Sequence, residues 1–159
     1  MSLDDALKDL LEAQQPDSIL YWGSEEARPL GDYRVAHPDC RYHRLATGDD
    51  GSADFHELGR FDVALVWHGL VRLPREAAVA MIGRLRTFHA DRLYALLEPG
   101  SGWSARDFYA LAMVHHASAD TPRGEAEVFR YDLDSYTRVR SWNNPKNWAN
   151  PENFRRYRW

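Results

Sequence analysis

The run FDVALV, residues 61–66, contains one polar residue, Asp62, and constrains the fold more than any other stretch. A strand apolar on both faces has to be covered on both, which is the pattern of a central strand in a parallel sheet. DRLYALLEP, residues 91–99, supplies the next strand. Between them Pro74 stands near the start of a stretch in which Ala78, Met81, Ile82, Leu85 and Phe88 form one helical stripe. Strand, helix, strand at this spacing is a βαβ unit, and it puts the chain in the α/β class.

The flanking segments extend this unit. Leu3, Leu7, Leu10 and Leu11 recur at three-to-four spacing and predict a helix over residues 4–14, closed by Gln15-Pro16-Asp17. SILYWG then reads as a buried strand ending at Gly23, DYRVAH (32–37) as a second strand and residues 41–45 as a third. On that reading the connection from Ser24 to Gly31 is eight residues and includes Pro29, too short for a full crossover helix, so the first crossover is reduced. Ser104 caps a helix with Asp107 at the reciprocal position. Residues 113–115 and 126–131 pair across the polar segment SADTPRGE.

At 159 residues the chain is one domain's length, and its formal charge of -4 with a pI near 6.0 excludes a body coated for nucleic acid. Cys40 is the sole cysteine, which excludes an internal disulfide framework and a Cys-rich metal site and suits a reducing compartment. The N-terminus MSLDDALKDLLEAQ carries acids where a secretory signal needs a basic region. No run approaches eighteen apolar residues, so the expectation is a cytoplasmic protein with no membrane span. The acidic run TGDDGSAD (47–54) reads as a surface loop with solvated carboxylates. His115-His116 would point to opposite faces of a strand, so no metal site is assigned. There is no Walker A loop, zinc-protease helix or nucleophile elbow around Ser24.

The C-terminal stretch WNNPKNWANPENFRRYRW (142–159) repeats Asn-Pro-x-Asn-aromatic at 144–148 and 150–154. Asn144 and Asn150 suit caps, and Pro145 and Pro151 suit first helical positions, so each repeat is a short turn delivering an aromatic, Trp148 or Phe154. Tyr157 and Trp159 extend that docking surface. From Arg138 to Trp159 six Arg/Lys face one Glu, a balance of 6 - 1 = +5. Aromatics among cations can stack on single-stranded bases, but Arg stems also cover apolar neighbours, and the acidic remainder favours packing. The expected organisation is an α/β domain over 1–137 with an aromatic extension, 138–159, packed on it; nucleic acid is disfavoured and a protein partner stays open. Trp103, Trp142 and Trp148 suit a monomer core or an intersubunit surface equally, leaving monomer and homo-oligomer both open.

The segment from FDVALV to LLEPG resembles the fourth strand, following helix and fifth strand of class I S-adenosylmethionine methyltransferases. The whole chain resembles a small, uncharacterised bacterial family of methyltransferase-like Rossmann fold, known mainly from pseudomonads and other gammaproteobacteria, on its SILYWG strand, FDVALV strand and C-terminal stretch. The resemblance implies a Rossmann-like, methyltransferase-type sheet and an S-adenosylmethionine crevice at the carboxyl ends of its strands. It carries Gly23 and Ser24 over to the first turn, Asp39 to a ribose contact just past strand two, and His68 to the segment after strand four. His68 also has the near-neutral intrinsic pKa that suits proton transfer. The chain departs from the pattern at the first turn, with one glycine, Trp22 where an acid is expected, and Glu25-Glu26 after it. Catalytic residues are not assigned. The expected function is a methyltransferase-like protein that binds S-adenosylmethionine, with a non-catalytic scaffold or macromolecular interaction module as the alternative.

Overall fold

A computed structural model describes residues 1–48, 53–136 and 150–153. Six strands, β1 (Ser18–Trp22), β2 (Arg41–Arg44), β3 (Phe61–Val66), β4 (Ala90–Leu97), β5 (Val114–Thr121) and β6 (Gly124–Asp132), form one sheet ordered β2-β1-β3-β4-β6-β5. The first four strands are parallel and β6 runs antiparallel to β4. The order reverses at β1, which has β2 on one side and β3 on the other.

Period-two geometry sorts the strand side chains into two cores. Leu20, Trp22, Ala64 and Val66 face one side with Met81, Ile82, Phe108 and Phe129. Ile19, Tyr21, Val63, Leu65 and Trp67 face the other with Leu7, Leu10 and Leu11. The second face is covered by α1 (Leu3–Gln14) and α2 (Arg28–Ala36). The first includes side chains from α3 (Arg75–Arg84) and α4 (Ala105–Ala110). Burying a Leu or Ile of this kind contributes about 1.5–3 kcal/mol.

The expected capping box at Ser104 is matched by a second at Ser2, and both use a carboxylate. Ser2 caps α1 with Asp5, and the Asp107 carboxylate accepts from the Ser104 amide and hydroxyl at 2.8 and 2.9 Å. Hydrogen bonding from those caps holds both Asp5 and Asp107 below the usual carboxylate range.

Two expectations are corrected. DYRVAH is not a strand: residues 28–36 form α2, with Pro29 in the first turn, and the parallel crossover from β1 to β2 runs through residues 23–40. The reason is burial at helical spacing. Leu30 and Tyr33 point inward, the Tyr33 hydroxyl donates to the Pro16 carbonyl at 3.2 Å, and Val35 is 84% exposed. The helix is only nine residues, so the crossover is compact rather than missing. Phe88 is the second correction. A π turn over Leu85–His89 follows α3 and shifts the phase, leaving Phe88 65% exposed and His89 buried.

His115 meets the Phe129 ring and His116 the Tyr94 ring, rings that belong to opposite cores, at a register irregularity of β5 between His115 and Ala117. Pro151–Asn153 forms a 3-10 turn closed from the Asn153 amide to the Asn150 carbonyl at 3.2 Å, with Pro151 in its first position. The first repeat, Trp142, Trp148, Phe154, Tyr157 and Trp159 lie outside the described residues, as do positions 49–52 of the acidic loop. Among the described residues no helix is long and apolar enough to cross a membrane.

Asp62, the one polar residue of β3, ties the amino ends of the two central strands together. Its Oδ2 accepts from the Asp17 and Ser18 amides at 2.9 and 3.1 Å, and its own amide donates to Ser18 Oγ at 2.8 Å. Asp62→Ala leaves two amides unpaired at a half-buried edge and is expected to cost about 1–3 kcal/mol, read as a lower denaturant midpoint. An unchanged midpoint would show that water replaces the carboxylate without loss.

Candidate functional site

In open α/β sheets ligands gather outside the carboxyl ends of the strands, where the strand order reverses. Here that point lies between β1 and β3. The Trp67 amide donates to the Trp22 carbonyl at 2.8 Å, so the two strands stay paired past their last regular residues. On the other side the Leu45 amide donates to the Tyr21 carbonyl at 2.8 Å. The edge is therefore zipped rather than splayed.

Gly23 sits where this pairing is tightest. A methyl group on its Cα would overlap the Trp67 carbonyl oxygen and lie 2.9 Å from the Tyr21 hydroxyl. The glycine is required by the protein's own backbone. Tyr21 donates its hydroxyl to the Glu25 carbonyl, and burial pushes its pKa up to about 12, so it stays a donor that holds the turn. Trp22, almost fully buried, lays its indole against Gly69 and donates Nε1–H to Thr47 Oγ1 at 3.4 Å. Trp67 is buried in the opposite core.

Two cavities lie at this edge among the described residues. One, about 300 Å³, is lined by Trp22, Gly23, Ser24, Arg44, Thr47 and Arg72, among others. Arg44, the last residue of β2, donates to the Ser24 carbonyl at 2.8 Å and to the Gly23 carbonyl at 3.4 Å. The second, about 360 Å³, includes His68, Glu98, Asp120 and Arg123 in its lining. His68 Nδ1 lies 2.8 Å from Glu98 Oε1. With φ of 55° His68 is left-handed, a conformation His adopts more readily than most residues, and it turns the chain out of β3 into the 3-10 turn Leu70–Arg72. An ionised Glu98 accepts from Nδ1–H and fixes the tautomer that leaves Nε2 as an acceptor, the orientation a general base needs.

The structure thus brings Gly23, Ser24 and His68 to one edge but not Asp39. Asp39 precedes β2 instead of following it. Ser18, the first residue of β1, pairs with Arg41, and the Arg41 amide donates to the Asp17 carbonyl, so Asp39 lies at the amino edge, a strand length from the crevice. The misplacement follows directly from the strand misassignment of DYRVAH. Arg44, Arg72 and Glu98 were not anticipated; Arg44 and Glu98 stand at or just past strand ends, the positions that correct strand boundaries would have exposed.

S-adenosylmethionine, the cofactor of the methyltransferase fold, is poorly matched by these residues. Its amino group and ribose hydroxyls call for acceptors, and its sulfonium is cationic, whereas the 300 Å³ crevice has two arginines and no carboxylate among its described lining residues. Glu26 is engaged with Arg34 at 2.7 Å. The space beside the first-turn glycine, where backbone approach to a ligand would be made, is taken by the Trp67 carbonyl.

The chain belongs, over residues 1–159, to the family of unknown function DUF6231. Its structure is similar to the 1,6-didemethyltoxoflavin-N1-methyltransferase of Burkholderia thailandensis, solved with 1,6-didemethyltoxoflavin and S-adenosylhomocysteine, at a TM-score of 0.55. That match has 14% identity and covers 80% of this chain and 76% of the other. It is also similar to the methyltransferase domain of bacterial CtHen1-C, at a TM-score of 0.52 and 10% identity over 81% of this chain and 96% of that one. No curated protein matches at the sequence level. The fold is that of the Rossmann-like, class I S-adenosylmethionine methyltransferases.

Gly23→Ala is expected to prise the ends of β1 and β3 apart and cost about 1–3 kcal/mol, as overpacking of a closed site does. Gly83→Ala, in α3 with nothing within 4 Å of the added carbon, is the control and should be neutral or stabilising by up to about 1 kcal/mol. Equal thermal midpoints for the two variants would contradict the closed edge.

Proposed function

We propose that this protein is a methyltransferase-like scaffold whose carboxyl edge has been rebuilt from a cofactor seat into a binding surface, so that it works as a non-catalytic recognition module. The observation that carries this reading is the Trp67 carbonyl in the space beside Gly23, with the paired strand ends behind it. That no carboxylate stands among the described crevice residues points the same way.

A second reading keeps S-adenosylmethionine. It is favoured by the position of the 300 Å³ crevice, which lies beside Gly23 and Ser24 at the strand-order reversal, and by the fold's likeness to methyltransferases. On that reading Gly23 and Ser24 would hold the ligand and His68, oriented by Glu98, would accept a proton from the substrate. Cofactor affinity separates the two.

Calorimetric titration of the folded protein with S-adenosylmethionine and S-adenosylhomocysteine should give no heat of binding up to low-millimolar ligand. A micromolar affinity for both would overturn the scaffold reading in favour of the cofactor.

The C-terminal extension is the natural second contact of a recognition module, since its +5 balance and its aromatics suit a protein surface as well as the protein's own domain. Truncation after Ser141 is expected to lower the thermal and denaturant midpoints if the extension packs on residues 1–137. Unchanged midpoints would assign its aromatics to a partner or a second copy, which light scattering and pulldown with the full chain then distinguish.

A further inference from the structure

We propose that the crevice at the carboxyl ends of β1 and β2 binds a small organic phosphate monoester, with the phosphate held between Arg44 and Arg72. The proposal rests on the binding-module reading above and names the ligand class of that module.

Charge separates this cavity from the others. In a chain of net charge -4, four other cavities in the described residues each carry at least two carboxylates: Asp5 and Asp32, Asp62 and Asp91, Asp54 and Glu57, and Glu98 and Asp120. Among the described residues the crevice beside Gly23 has none and has two guanidinium groups. These come from opposite sides of the β1 turn, Arg44 from the end of β2 and Arg72 from the 3-10 turn after β3.

The two arginines differ in a way that suits a binding site. Arg44 is already fixed on the Ser24 and Gly23 carbonyls through one nitrogen, which leaves the rest of its fork in place for an anion. The Arg72 side chain is exposed and makes no hydrogen bond or ion pair with any described residue; its backbone amide closes the 3-10 turn on the Gly69 carbonyl. A cation held in position and a second one free to close favour a dianion over a monoanion, since each guanidinium takes a charge-assisted pair of bonds. The Ser24 and Thr47 hydroxyls add neutral donors in the same lining.

Size then decides against the bare ion. The cavity's 300 Å³ equals roughly ten waters of liquid volume, more than a phosphate alone occupies. Leu45, Ala46 and the rim of Trp22 offer apolar wall to an attached organic group. The phosphate therefore sits at the arginines with a short carbon skeleton along that wall.

The test is an amide-resolved NMR titration of the full chain with inorganic phosphate, glycerol phosphate and, as the neutral control, glycerol. Glycerol phosphate is expected to shift the Ser24 and Thr47 amides and the Trp22 indole N–H saturably, inorganic phosphate to shift them more weakly, and glycerol not at all. Arg72→Ala should weaken glycerol phosphate about tenfold, the loss of one charge-assisted contact, with the remaining spectrum unchanged. Arg44→Lys, which keeps the charge but loses the fork, should weaken it too. No saturable shift in the folded protein overturns the phosphate site while leaving the binding-module reading standing. Equal affinity in Arg72→Ala overturns the arginine clamp. Micromolar S-adenosylmethionine saturating the same amides overturns both readings together.

Discussion

One backbone hydrogen bond organises the carboxyl edge of this sheet, that from the Trp67 amide to the Trp22 carbonyl. By continuing the β1–β3 ladder past its regular end it brings the Trp67 carbonyl against Gly23, and only a residue without a Cβ fits there. The two tryptophans are sent to opposite faces by the same ladder, Trp22 into one core and Trp67 into the other, because strand side chains alternate. A glycine that elsewhere would admit a ligand is here consumed by strand pairing. What space remains is displaced toward β2 on one side and β4 on the other.

Much of the fold is legible in the sequence because its strongest signals are local. FDVALV and DRLYALLEP are apolar runs whose burial on both faces leaves few alternatives, and the leucines of α1 keep helical period without interruption. DYRVAH misleads because its aromatic and β-branched residues alternate with polar ones, a strand pattern over a few positions. Only the partners decide. Tyr33 joins Leu30 three residues earlier against the second core, and Val35 is left in solvent. Phe88 fails for a related reason: helical period predicts its face correctly until the π turn adds a residue, and nothing in the sequence marks that insertion.

The candidate site was legible in the same measure as the strand ends. Gly23, Ser24 and His68 follow strongly marked strands and lie at the carboxyl edge. Asp39 went to the wrong edge with its misassigned strand, and Arg44 was overlooked because β2, RYHR, is short, mostly exposed and without apolar run. Glu98 closes DRLYALLEP in plain view, yet its pairing with His68 depends on the register of β3 against β4, which puts Val66 beside Ala95. Register between strands separated by a helix is a tertiary fact, beyond the reach of periodicity.

The two cavities described at this edge differ in electrostatic character. Beyond β4, Glu98 and Asp120 share a cavity with His68 and Arg123, a mixed lining in which a proton can be held or passed. Beside β2, among the described lining residues, the charge is arginine alone. A sulfonium cofactor held there would meet two guanidinium groups and, among the described lining residues, no carboxylate, the reverse of what its charges favour. An anion meets the opposite situation, since it gains two guanidinium partners and gives up only contacts with water. The fold supplies the edge, but the sign of the charge at each strand end determines what the edge can hold.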